Sequence, residues 1–83
     1  MRVTVKYFAS IREALGQGSE TVDTSAASVA ALRDELIGRG GVHAQGLARG
    51  KAVRAALNQV MSDEQAPLAE GCEVAFFPPV TGG

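Results

Sequence analysis

The chain has 83 residues, 46% of them hydrophobic and 20% charged, which excludes a disordered protein and leaves room for one small domain with a single core. Eight basic residues stand against nine acidic ones, for a formal charge of −1, and no Lys/Arg cluster occurs, so a binder of nucleic-acid backbone is excluded. The apolar runs are too short for a membrane span, the N-terminus lacks a signal-peptide core, and a lone Cys72 rules out an internal disulfide; the expected location is the cytoplasm.

Val3, Val5 and Tyr7 alternate with Arg2, Thr4, Lys6 and Phe8, which predicts a first strand with one buried face. Phe8 breaks the pattern by falling on the polar face. Two readings stay open for it, a partner contact or a sheet end covered by a loop. Ser10 to Leu15 predicts a single helical turn, and Gly16 and Gly18 then reverse the chain. Glu20 to Thr24 reads as a second, antiparallel strand. Ser25 or Ser28 can cap a helix whose apolar stripe is Val29, Leu32 and Leu36, with Arg33, Asp34 and Glu35 on its wet side and Gly38 as its stop.

The five glycines between Gly38 and Gly50 predict a mobile loop that exposes His43. Val53, Ala55 and Leu57 alternate again as a third strand. Turns at Ser62-Asp63-Glu64 and Glu70-Gly71 leave room for a short fourth strand before the last one, Cys72 to Phe77, which carries Val74 and Phe76 on one face. The order is strand, strand, helix, strand, short strand, strand. In so small a domain the helix must lie across one sheet. Crossover handedness favours first and last strands as parallel neighbours in its middle. That is an α+β fold of the β-grasp type, a mixed sheet with one main helix packed across it.

Conventional catalytic machinery is missing. His43 has no second histidine for a metal site or a triad. Cys72 has no neighbouring basic residue to lower its pKa and reads as a small buried or edge thiol. Gly46-Leu47-Ala48-Arg49-Gly50-Lys51-Ala52 is one residue short of a phosphate loop and has Ala52 where Ser or Thr is required. Asp34-Glu35 and Asp63-Glu64 read as solvated charge. No metal site is expected. A chain so equipped is acted upon, or lends a group to another protein.

The C-terminus differs in kind. A domain of residues 1–77 is succeeded by a tail, Pro78-Pro79-Val80-Thr81-Gly82-Gly83. The two prolines end the strand and stiffen the start of the tail. Six residues reach at most about 18–20 Å, and the last two carry no side chain, so the tip can enter a tunnel too narrow for a Cβ. The bland alternative is a frayed terminus, against which the stiff apolar Pro-Pro-Val segment stands. A carboxylate delivered this way must first be activated by the partner, which would supply positioning and charge stabilisation.

The closing Val74-Ala75-Phe76-Phe77-Pro78-Pro79-Val80-Thr81-Gly82-Gly83 resembles the end of molybdopterin synthase small subunits. Val5-Lys6-Tyr7-Phe8-Ala9, Ile11-Arg12-Glu13, Val29-Ala30-Ala31-Leu32-Arg33 and Ala56-Leu57-Asn58-Gln59 are similar to the same family, so the resemblance spans the chain. It implies a ubiquitin-like β-grasp fold and a sulfur-carrying cycle. An E1-like enzyme would use ATP to adenylate Gly83, and a persulfide donor would convert it to a thiocarboxylate. The tail, slim at Gly82, would then enter the large catalytic subunit of a heterotetramer with two of each chain. There it would supply sulfur to a cyclic pyranopterin phosphate, two deliveries making the dithiolene. The chain would bind no cofactor of its own. By the same resemblance Phe8, Phe77, Pro78, Pro79, Val80 and Thr81 meet the partners. Cys72 departs from the family, which is usually acidic at that turn. Rival expectations are a sulfur carrier for thiamine or transfer-RNA thiolation, or a ubiquitin-like modifier joined to lysines; the Phe-Phe-Pro-Pro-Val segment favours molybdopterin.

Overall fold

Branched and aromatic side chains at alternate positions favour a pleated strand with one buried face, and the first residues form one. In the computed structural model, which describes residues 1–79, β1 spans Arg2–Tyr7 with Val3, Val5 and Tyr7 buried. α1 comes directly after it over Ala9–Leu15, two turns where one was expected, and buries Ile11 and Leu15. Gly16 ends it in the left-handed region (φ 75°), its N–H donating to the Arg12 carbonyl at 2.9 Å. β2, Ser19–Asp23, returns antiparallel to β1.

Of the two candidate caps for the main helix, Ser28 is the one used. Its hydroxyl accepts from the Ala31 N–H at 3.2 Å and opens α2, Val29–Ile37. Gly38 does not stop the helix by turning left-handed, for it stays right-handed (φ −62°). The reversal comes at Gly40 (φ 74°).

The segment expected as a mobile loop holds a short helix, α3, over Gly41–Gly46. β3, Arg54–Leu57, and β4, Val60–Ser62, form a hairpin around Asn58 and Gln59, both with positive φ. Val53, expected in β3, precedes it and packs on the core. β5, Glu73–Phe77, completes a sheet of order β2-β1-β5-β3-β4. β1 and β5 are parallel neighbours at its centre and the other pairings are antiparallel. The β-grasp arrangement is borne out.

Val29, Leu32 and Leu36 of α2 join Val3, Val5, Tyr7, Val74 and Phe76 of the central strands in one core. Arg33 joins them too, contrary to its expected place in solvent; only 3% of it is exposed. Its guanidinium donates to the carbonyls of Leu47 (2.8 Å), Ala48 (2.8 Å) and Lys51 (3.3 Å) and to Glu64 (3.0 Å). The planar fork has five donors, and here it ties the stretch after α3 to α2. Glu64 also accepts from Arg49, which bonds Asp34 at 2.9 Å. Asp34 and Glu64 are therefore ion-paired, not simply solvated. No helix among the described residues is long and apolar enough to cross a membrane.

Candidate functional site

The two central strands deliver their C-terminal ends to one end of the sheet. Tyr7 pairs with Phe76 in the parallel ladder, and the Phe8 N–H donates to the Phe76 carbonyl at 3.1 Å. Phe8 is still extended (φ −129°, ψ 156°), so its side chain keeps the alternation and points away from the core with Lys6. Ala9 then turns sharply with φ 52°, a left-handed conformation costing a non-glycine residue roughly 1–2 kcal/mol. The result is a Phe8 that is 46% exposed at the sheet's end. The loop-covered alternative for Phe8 is thereby excluded.

Phe77 succeeds Phe76 on β5 and shares the outward face with Ala75. Pro78 and Pro79 continue from it, half-buried. Phe8 and Phe77 are thus brought to the same end and the same face by strand register. The outward row running from Lys6 through Ala75 and Ala56 ends at Met61, whose side chain is 59% exposed. Ala56 and Ala75 are buried yet stand apart from the main core. The sequence reading missed Met61, because a strand of three residues shows too little alternation to assign a face. Val80, Thr81, Gly82 and Gly83 lie outside the described residues.

Underneath, Pro78 lines a crevice of about 70 Å³ with Ser10, Ile11, Ala14, Lys51 and Val53. Gly46 forms part of the same wall, and a Cβ there would collide with the Leu15 side chain. This close approach seats α3 against α1.

His43, expected in solvent, faces inward on α3. Its Nε2 lies 2.8 Å from Glu20 Oε2, and its ring meets Tyr7 edge-on at 6.3 Å. The same carboxylate accepts from the Tyr7 hydroxyl (2.7 Å) and from Arg39 (3.0 Å). Burial favours the neutral acid of Glu20, but the bonds from His43, Tyr7 and Arg39 outweigh it and hold the carboxyl below its ordinary range. Burial, reinforced by Glu20, pushes the Tyr7 hydroxyl up, so it stays a donor. The cluster fastens β1, β2 and α3 together beneath the strand that ends at Phe8. Cys72 is buried. No group of three His, Cys, Asp or Glu side chains stands together for a metal ion among the described residues.

The ThiS family matches residues 5–83 of the chain. The molybdopterin synthase sulfur carrier subunit of Escherichia coli K12 is 41% identical over 81 residues, covering 98% of this chain and 99% of that one. Among solved structures, SAMP1 of Haloferax volcanii, a small archaeal modifier protein, superposes with a TM-score of 0.78 at 27% identity over 100% of both chains. The complex of subunits 1 and 2 of the Helicobacter pylori molybdopterin-converting factor contains a chain with a TM-score of 0.68 at 28% identity, again over 100% of both.

Proposed function

The chain belongs to the ThiS family, and from that premise we propose that it is the sulfur-carrier subunit of a molybdopterin synthase. An E1-like enzyme joins the Gly83 carboxylate to AMP with release of pyrophosphate. Sulfur from a persulfide then displaces AMP, and reduction leaves a thiocarboxylate. The tail carries it into the large catalytic subunit, where the nucleophilic sulfur attacks a cyclic pyranopterin phosphate. Two such deliveries build the dithiolene of molybdopterin. Two copies of each subunit make up the working heterotetramer, and the cycle runs in the cytoplasm.

The observation that carries this reading is the root of the tail. It grows from a central strand, beside an aromatic residue held outward by a strained backbone. Phe8, Phe77 and Met61 offer the apolar centre of a docking surface, with Pro78 and Pro79 stiffening the start of the tail beside it. Relatives named as sulfur carriers over nearly the full length, and a similar chain solved with its second subunit, support the same reading. The decisive experiment is synthesis of molybdopterin from the pyranopterin precursor with the cognate large subunit. Full-length thiocarboxylate succeeds and a chain lacking Gly83 fails with unchanged circular dichroism; activity of the shortened chain refutes the proposal.

Likeness to SAMP1 favours a second reading, a protein modifier joined to lysines. Intact mass of the chain isolated from cells separates the two. A carrier shows oxygen exchanged for sulfur at its end, and a modifier shows lysine adducts.

A further inference from the structure

Of the eight cationic side chains, five lie within 4.0 Å of a carboxylate of this chain: Arg2, Lys6, Arg33, Arg39 and Arg49. Among the described residues, Arg12, Lys51 and Arg54 have no such partner. Arg12 lines a separate recess with Gly16, Gln17 and Gly18, which Pro78 does not share. Lys51 and Arg54 have no acidic residue on their own segment. Asp63, just after β4, accepts the Gln65 N–H at 2.8 Å instead of pairing with Arg54.

Their position is informative. Arg54 stands opposite Phe77 in the ladder between β3 and β5, and Lys51 lines the crevice beside Pro78. Both are exposed. Exposed ion pairs are worth at most about 1 kcal/mol, so folding does not require a partner for either. Arg54 beside Phe77 and Lys51 beside Pro78 give the base of the tail the charged composition of an interface rim. Two charges are too few for a nucleic-acid backbone.

Resting on the reading of the tail as a sulfur donor, we infer that Lys51 and Arg54 dock against carboxylates at the mouth of the protein pocket that receives the tail. The tail is then bipolar. Its root is positive, and its tip, as carboxylate or thiocarboxylate, is negative at up to about 18–20 Å away. A matching receptor is acidic at its mouth and basic in its depth. That order of charge steers the tip inward and fixes how far the domain can enter.

The test is stopped-flow association of the full-length chain with the purified large synthase subunit of the same organism. The double variant Lys51→Glu, Arg54→Glu should associate about tenfold more slowly at low ionic strength. High salt should erase most of that difference. Arg2→Glu, at the opposite end of β1 and paired with Asp23, should change the rate by less than about twofold. Thermal melts of both variants should match the parent: Lys51 and Arg54 pair with no described carboxylate, and the Arg2 pair is exposed. An unchanged rate in the double variant overturns the inference, and so does a slowing that survives high salt, which would be a matter of shape. The sulfur-donor reading fails differently. There the parent chain itself neither binds the large subunit nor, as thiocarboxylate, yields molybdopterin, and that result removes this inference as well.

Discussion

The helix-covered side of the sheet and the end where the tail departs are made by the same two strands, yet they treat their side chains in opposite ways. Beneath the sheet, no described buried side-chain nitrogen or oxygen lacks a hydrogen-bond partner; even Arg33 and Glu20 are fully engaged. At the tail's root an aromatic ring is exposed and two cations lack a partner carboxylate among the described residues. Folding satisfies one region and leaves the other open to a partner. Substitutions should therefore separate stability from binding.

The largest expected effect on stability comes from the first region. Phe76→Ala, removing a fully buried ring stacked on Tyr7 at 6.4 Å, should cost about 3–5 kcal/mol in urea unfolding. In a domain this small that approaches the whole stability. Arg33→Ala strands the Leu47 and Lys51 carbonyls and part of Glu64, while the Ala48 carbonyl keeps the Lys51 N–H, and should cost about 2–4 kcal/mol. A loss below roughly 1 kcal/mol would mean that water replaces the guanidinium, so the two regions differ less than they look.

Gly46→Ala drives a methyl into Leu15 and should cost about 1–3 kcal/mol. Measured alongside, binding to the large subunit should hold in the folded fraction. Acid probes the same region. Glu20 and Glu64 both have carboxyls held below the ordinary value of 4.5, so their contribution is complete above that pH. It is lost as the pH falls below 4.5 through their lower folded values. Glu20→Gln should flatten the acid limb of a stability-versus-pH curve; an unaltered limb would assign the loss to other carboxylates.

The smallest effect on stability is the most telling. Phe8→Arg should shift the unfolding free energy by no more than about 0.5 kcal/mol while weakening binding to the large subunit at least tenfold. A large loss of stability would make Phe8 part of the core and dissolve the contrast between the regions.

Much of the fold was legible because β1, α2 and the last strand each state their period locally, and the glycines before β2 mark its return. The parallel centre came from crossover handedness. The features that escaped detection depend on distant partners. Arg33 lies four residues after Val29 and three before Leu36, inside the apolar stripe of α2; that spacing was the available clue to a buried guanidinium. His43 meets Glu20 across 23 residues, and no local pattern announces that. α3 is flanked by glycines and has poor intrinsic propensity, so its packing on α1 sustains it. Of the proposed site, phase set Phe8 apart but left two readings open for it, and the partner role of Phe8 and Phe77 came from the resemblance. The cations at the tail's root became visible only once every other ion pair could be drawn.

The tail springs from β5, which is bonded on one side to β1 and on the other to β3. Withdrawal from a tight tunnel would pull nearly along that strand. A load in this direction shears both ladders at once, whereas a tail rooted on an edge strand could be peeled away bond by bond. A tail inserted and extracted in every cycle, as proposed, would thereby be mounted on the element of the fold hardest to tear out.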